Sequence, residues 1–372
     1  MRVTFPHMGN IDMVLSDLME RLEVEYVVPP RTTTKTLEIG VRHSPEFACL
    51  PLKITIGNFI EGLDRGADTL IMAGGTGPCR FGYYAETQKR VLDQLGLDFR
   101  MVTFESPAVH PVLCHRAFKS VAPSKTVLDL YHALKTSFAK GRAMDALEKR
   151  SLQVRAFEVE RGATSAAHEE GLEILRPACG DEEIAEAYGR ALEVMESVEQ
   201  DRERDVLRIG IVGEFYMLLE PFVNFGIERW LGEQGVYLER SVYLTDWIGP
   251  SRKNPILGVT DAEVHQYAHS YLSHHVGGEG QASIGHTMKY VEEGFDGIVH
   301  LMPFTCMPET IAKSIFPRLS REMDIPILSF VIDEQTGKAG VITRLEAFLD
   351  LLISRREAKR GRREPARQFA AC

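Results

Sequence analysis

Residues 68–95 read DTLIMAGGTGPCRFGYYAETQKRVLDQL, and this stretch decides the fold. Residues 68–72 form an apolar, strand-like run that ends in the glycine-rich turn AGGTGPCRFG, and a helical pattern follows from about Tyr84 to Leu95. A strand that passes through a tight turn into a helix is half of a βαβ unit, and repeated units of this kind build a parallel sheet. The turn carries a cysteine, Cys79, at the point where the strand ends.

The same alternation extends on both sides. Residues 1–5 read as a first strand, with a loop PHMGN and a helix near residues 11–22. Residues 24–28 read as a second strand closed by Pro29 and Pro30, which cannot continue a ladder. A helix follows Pro51, with Ile54, Ile56, Phe59, Ile60 and Leu63 as its apolar positions, and residues 99–104 form the strand after the quoted stretch. Strand signals then thin out. Helical spacing dominates to about Asp205, most clearly in residues 181–202, where Ile184, Tyr188, Ala191, Leu192 and Met195 stand on an acidic background. VLRIGIVGEFY, starting at Val206, opens a second α/β unit, with further strands at residues 235–243, 297–302 and 326–332 and a closing helix at residues 344–355. The expected architecture is α/β: a first lobe at 1–123, a helical insert and linker at 124–205, a second lobe at 206–353 and a basic tail at 354–372. Two domains also suit 372 residues, because a domain usually takes roughly 100–200.

Composition excludes some functions. A net charge of −10 argues against a nucleic-acid binder, which needs a concentrated basic surface. The one basic run, Arg355 to Arg367, reads as a solvated tail. No apolar stretch reaches the roughly 18 residues that span a bilayer, and the N-terminus lacks a signal-peptide core. The expectation is a cytoplasmic protein with reduced thiols, whose cysteines act as metal ligands, catalysts or core residues. The glycine tracts at residues 74–77 and 277–280 match neither a dinucleotide fingerprint nor an ATP phosphate loop. They also suit plain tight turns.

Three of the six cysteines share one kind of station. Cys49, in ACLPLK, precedes a proline and a helix. Cys79, in GPCRFG, follows a strand and precedes a helix. Cys306, in PFTCMPE, stands between a strand and a helix whose proline, Pro308, falls near its first turn. Helix N-termini stabilise thiolates, and open α/β sheets hold ligands at the carboxyl ends of their strands. Gly77 beside Cys79 lets backbone N–H groups approach an anionic cluster. Taken singly, each thiol also suits a buried core position. Cys114 and Cys179 lack this context, and Cys372 is the last residue. Structural zinc sites gather cysteines in close C-x₂-C pairs, which are missing here. Arg80 offers positive charge beside a cluster. Glu309 suits either a helix N-terminus or a base, His286 and His300 suit either ligation or proton transfer, and Glu279 adds a further polar candidate. Each of these side chains also suits an ordinary structural role.

With these segments in view, the chain resembles the domain family related to the activators of 2-hydroxyacyl-CoA dehydratase, itself similar to the dehydratase cluster subunits and the double-cubane cluster proteins. FPHMGN, ACLPLK, GPCRFGYY, GGEGQASIG, GFDGIVHLMPFTCMPE and IDEQTGKAGVITRLEAFLD carry the likeness across nearly the whole chain. The resemblance implies two Rossmann- or flavodoxin-like lobes with a 4Fe-4S cluster in the cleft, ligated by Cys49, Cys79 and Cys306. A double cubane would want six ligands and fits this chain less well. The resemblance further implies an acceptor of low-potential electrons from an ATP-hydrolysing iron–sulfur activator, serving radical dehydration or reduction of an acyl-CoA-type substrate. Pairing as a homodimer, or as a heterodimer with a similar chain, is also implied. Two rival readings stand beside it: a non-catalytic iron–sulfur carrier or sensor, and an α/β binding module with incidental cysteines.

Overall fold

Two parallel sheets, one in each half of the chain, form the framework of the computed structural model, which describes residues 1–75, 77–107, 109–248 and 262–368. In the first lobe β1 (Val3–Thr4), β2 (Thr69–Ala73) and β3 (Arg100–Phe104) lie in the order β1-β2-β3. In the second, β4 (Leu207–Gly213), β5 (Val236–Arg240), β6 (Gly297–Pro303) and β7 (Ile327–Ile332) lie in the order β5-β4-β6-β7. Every residue of β6 is buried, so its sequence shows no alternation: helices cover both of its faces. The α/β reading with two parallel-sheet lobes is what the chain forms.

Helix starts are set by local chemistry. Thr126 and Asp129 exchange hydrogen bonds as a capping box at the head of the long helix Val127–Arg155. Thr33 and Thr36 do the same for the helix Thr34–His43, which the threonine-rich sequence conceals. That helix crosses Leu50–Asp64 so closely that a Cβ on Gly40 would stand 1.8 Å from the Lys53 carbonyl oxygen. Only glycine permits this approach. As a result Leu50–Asp64, which carries Cys49 at its cap, is buried on almost every side, with Ile54, Ile56 and Phe59 fully enclosed.

The helices Val127–Arg155, Ala163–Leu175 and Asp181–Glu196 occupy the middle of the chain. Their buried Leu147, Leu175 and Met195 belong to the same apolar core as Ile209, Ile211 and Leu238 of the second sheet. Three expectations need correcting. Residues 24–28 do not form a strand and contribute only an isolated bridge from Tyr26 to Val3. The closing helix is longer than its apolar pattern, Lys338–Gln368. Nor is the basic run left in solvent throughout: Arg355 and Lys359 pair with Asp324, and Arg356 pairs with Asp205 and Asp296. The acidic partners lie far away in sequence, so the run alone could not announce them.

Side-chain contacts tie the lobes together. His7 of the FPHMGN loop sits 2.9 Å through Nδ1 from Oε2 of Glu220, while the Tyr216 hydroxyl donates to the His7 carbonyl at 2.9 Å. Buried Lys53 pairs with Glu334 at 2.6 Å. Among the described residues no helix is long and apolar enough to cross a membrane.

Candidate functional site

Cys49, Cys79 and Cys306 are each the N-cap of a helix: Leu50–Asp64, the short 3-10 turn Arg80–Tyr83 and Met307–Glu322 respectively. Proline in the first turn of the first and third helices marks those starts. Backbone N–H groups at Leu52, Phe81 and Glu309 are near enough to the three sulfurs to favour thiolate, although none closes a full capping hydrogen bond. Cys79 follows β2 and Cys306 follows β6, so both lie at carboxyl ends of parallel strands. Cys49 does not follow a strand. The helix Thr34–His43 precedes it.

The lobes bring the three together. A charge on Cys49 is felt at both Cys79 and Cys306. Arg80 clasps the three loops: its Nη1 donates to the Phe47 carbonyl at 3.2 Å, and its Nη2 donates to Thr305 Oγ1 at 2.8 Å and to the Thr305 carbonyl. Thr305 Oγ1 in turn donates to the Phe47 carbonyl at 3.2 Å. Thr305 holds φ +68°, a left-handed conformation that strains a β-branched residue by on the order of 1–3 kcal/mol. The strain places its hydroxyl and carbonyl on the Arg80 fork. Gly77 takes φ +114° with open space around it, so its glycine serves the turn's backbone.

Gly277 and Gly278 fit between these loops. A Cβ on Gly277 would lie 2.8 Å from Pro78 Cγ, and one on Gly278 would lie 3.3 Å from Pro308 Cγ and 3.8 Å from Cys79 Sγ. With φ values of +89° and +46° as well, both positions suit glycine on conformation and on space.

Electrostatics sets this pocket apart. Burial pushes all three thiols upward in pKa. The Tyr84 hydroxyl, 2.6 Å from Cys49 Sγ, and Arg80 partly counter this at Cys49. Three carboxyl groups lie alongside. Glu214 caps the helix Phe215–Leu219 after β4, and burial, reinforced by Glu309 and Glu279, raises its pKa to about 8 despite bonds from the Met217 and Tyr216 N–H groups. Glu279 is raised to about 7 by burial and by Glu309. Glu309 is fully buried, 2.9 Å from His300 Nε2 and 3.2 Å from Ser283 Oγ. Among the described residues no lysine or arginine pairs with any of the three.

The other candidates fall elsewhere. His300 is fully enclosed, and both ring nitrogens are taken, by Glu309 and by Ser329 Oγ at 3.1 Å, which leaves no lone pair for iron. His286 stacks against Tyr290 within the helix Gly280–Glu292. Cys114 lies in the helix Pro111–Val121, where burial alone raises it. Cys179 is exposed at the turn before Asp181–Glu196. Cys372 is outside the described residues. Glu214, Tyr84 and Thr305 are site residues that the sequence did not single out. Glu214 shares the strand-end station of Cys79 and Cys306, which was the available signal.

Among the described residues no group of three His, Cys, Asp or Glu side chains is gathered tightly enough for a single ion. A cluster asks for a different arrangement, because each thiolate holds its own iron across a bulky inorganic core. Three cysteines on three helix N-termini, clasped by one arginine and lined by glycine, supply the donor chemistry for such a core. Thiols whose pKa burial has raised become good ligands when iron supplies the missing positive charge. The residues present fit the group. No protein-family model matches the chain, and no curated protein matches it either.

Proposed function

We propose that this chain is an iron–sulfur protein in which Cys49, Cys79 and Cys306 hold a 4Fe-4S cluster, and that it accepts low-potential electrons for chemistry on an acyl-CoA-type substrate. The observation that carries the reading is the Arg80 clasp, which ties the loops of three N-cap cysteines from both lobes into one pocket. A bound cluster supplies one-electron chemistry, which radical dehydration or reduction of a thioester requires. The protein's own part is electrostatic and positional. Arg80 and the three helix N-termini favour negative charge at the sulfurs. The glycine loop closes over Cys79, and Glu214, whose pKa burial raises to about 8, takes up a proton without leaving the pocket.

The resemblance in sequence favours an ATP-hydrolysing iron–sulfur activator as the electron donor, and a homodimer or a heterodimer with a similar chain as the assembly. An anaerobic reductive titration followed by electron paramagnetic resonance tests the reading. A one-electron signal in wild type that is lost in Arg80→Ala and in each cysteine variant is expected. Absorbance and resonance spectra that do not change on reduction would defeat it. Turnover of an acyl-CoA with activator, ATP and reductant then separates an enzyme component from a carrier or sensor.

A further inference from the structure

Three cysteines leave one iron of a four-iron cluster without a protein ligand. Cys114 and Cys179 do not supply it: no charge of the site acts on Cys114, and Cys179 is exposed with its charge felt at Arg21. Among the carboxyl groups, Glu214 is engaged in capping Met217 N and Glu309 is held by His300 and Ser283. Glu279 differs from both. Its residue is 9% exposed, yet among the described residues its carboxyl makes no hydrogen bond and no ion pair. Glu279 is thus about nine-tenths enclosed with no partner of its own among those residues, whereas polar side chains so enclosed are normally hydrogen-bonded or bound to metal.

Its position supplies the second half of the argument. Glu279 directly follows the Gly277–Gly278 pair that packs on Pro78, Cys79 Sγ and Pro308, so its backbone is wedged between the Cys79 turn and the start of the Cys306 helix. Its charge is felt at Cys79, and that of Glu309 is felt at Glu279. The side chain therefore belongs to the pocket that the three thiols line.

We infer that Glu279 is the fourth protein ligand of the cluster, its carboxylate binding the iron that Cys49, Cys79 and Cys306 leave open. The inference rests on the iron–sulfur reading above. A carboxylate is a harder and more easily displaced ligand than a thiolate, so substrate or water can exchange at that iron without release of the cluster.

Mössbauer spectroscopy of ⁵⁷Fe-loaded wild type, Glu279→Gln, Glu279→Ala and Glu279→Cys tests it, together with the rate at which mild oxidation yields a three-iron resonance signal. Iron should remain bound in all four proteins. The fourth iron should leave the Gln and Ala variants at least about tenfold faster than wild type, since removing even an outer-shell partner costs about 10–100-fold in metal affinity. The Cys variant should hold it more tightly than wild type, and its spectrum should resemble that of an all-thiolate cluster. Circular dichroism checks that each variant is folded. Wild type that binds iron, with unchanged spectra and rates in Gln and Ala, would overturn the inference alone. Wild type that binds no iron would overturn the inference and the cluster reading together.

Discussion

Two regions of this molecule bury several carboxyl groups, and they balance the charge in opposite ways. In the body of the second lobe Arg240, 3% exposed, lies between Glu148 and Glu228. Its Nη2 donates to Glu148 at 2.8 Å, its Nη1 donates to Glu228 at 3.0 Å, and its Nε donates to the Val242 carbonyl at 2.8 Å, with the guanidinium over the Tyr243 ring. Burial pushes both carboxyl groups up; Arg240 draws Glu148 below the ordinary carboxylate range, whereas burial holds Glu228 above it despite Arg240. At the mouth between the lobes, Glu214, Glu279 and Glu309 stand beside three thiols with no lysine or arginine paired to them among the described residues. The first cluster is complete within the chain and serves the fold. The second has no lysine or arginine paired with its carboxyl groups among the described residues, and the cluster proposed above would supply the missing positive charge. That difference separates a structural network from a site.

The comparison is broken most forcefully at Arg240. Arg240→Met leaves Glu148 and Glu228, both part-buried, without their hydrogen-bonded cation, and chemical denaturation should register a loss of about 2–3 kcal/mol. A loss under about 1 kcal/mol would mean that the two carboxylates are not held by this arginine. Arg80→Ala is the counterpart at the mouth. It removes hydrogen bonds from an exposed side chain, so denaturation should shift by only about 1 kcal/mol. The retained iron, however, should fall about tenfold in anaerobic dialysis against a chelator. An unchanged iron content would show that the clasp is merely a surface contact.

The smallest effect sharpens the comparison through pH. Asp145 accepts from the Thr245 N–H at 2.8 Å and from the Thr245 hydroxyl, and burial raises its pKa to about 6 from 3.8. The folded state therefore binds this proton more tightly than the unfolded chain. The stability that it contributes is fully present below about pH 3.8 and is lost as pH rises through about 6. Asp145→Asn keeps an acceptor for Thr245 and removes the titration. It should gain about 1 kcal/mol over wild type at pH 8 and flatten the fall in stability between pH 4 and 7. Parallel stability curves for the two proteins would contradict this.

The sequence was legible where structure is local. The run through Cys79 displayed its strand, turn and helix, and prolines at 51 and 308 marked two helix mouths and so two of the three cysteine stations. The helix Thr34–His43 was hidden because its threonines have modest helix propensity, and the capping box and the packing of Gly40 supply the difference. The site was only half visible. Cysteines draw attention by their chemistry, whereas Glu214, Tyr84 and Thr305 matter because of what the fold brings to them from 35 to 258 residues away. His300 shows the reverse. It stands close in sequence to Cys306, yet burial between Glu309 and Ser329 commits it to the core.

Whether the three N-cap cysteines hold one cluster is decided by iron and acid-labile sulfide per chain. The proteins compared are anaerobically purified wild type, Cys49→Ala, Cys79→Ala, Cys306→Ala and the control Cys179→Ala. About four irons and four sulfides are expected in wild type and in the control, and their loss in each of the other three variants. Wild type without iron, or iron that persists undiminished in Cys49→Ala, Cys79→Ala and Cys306→Ala alike, would contradict a cluster held by these cysteines.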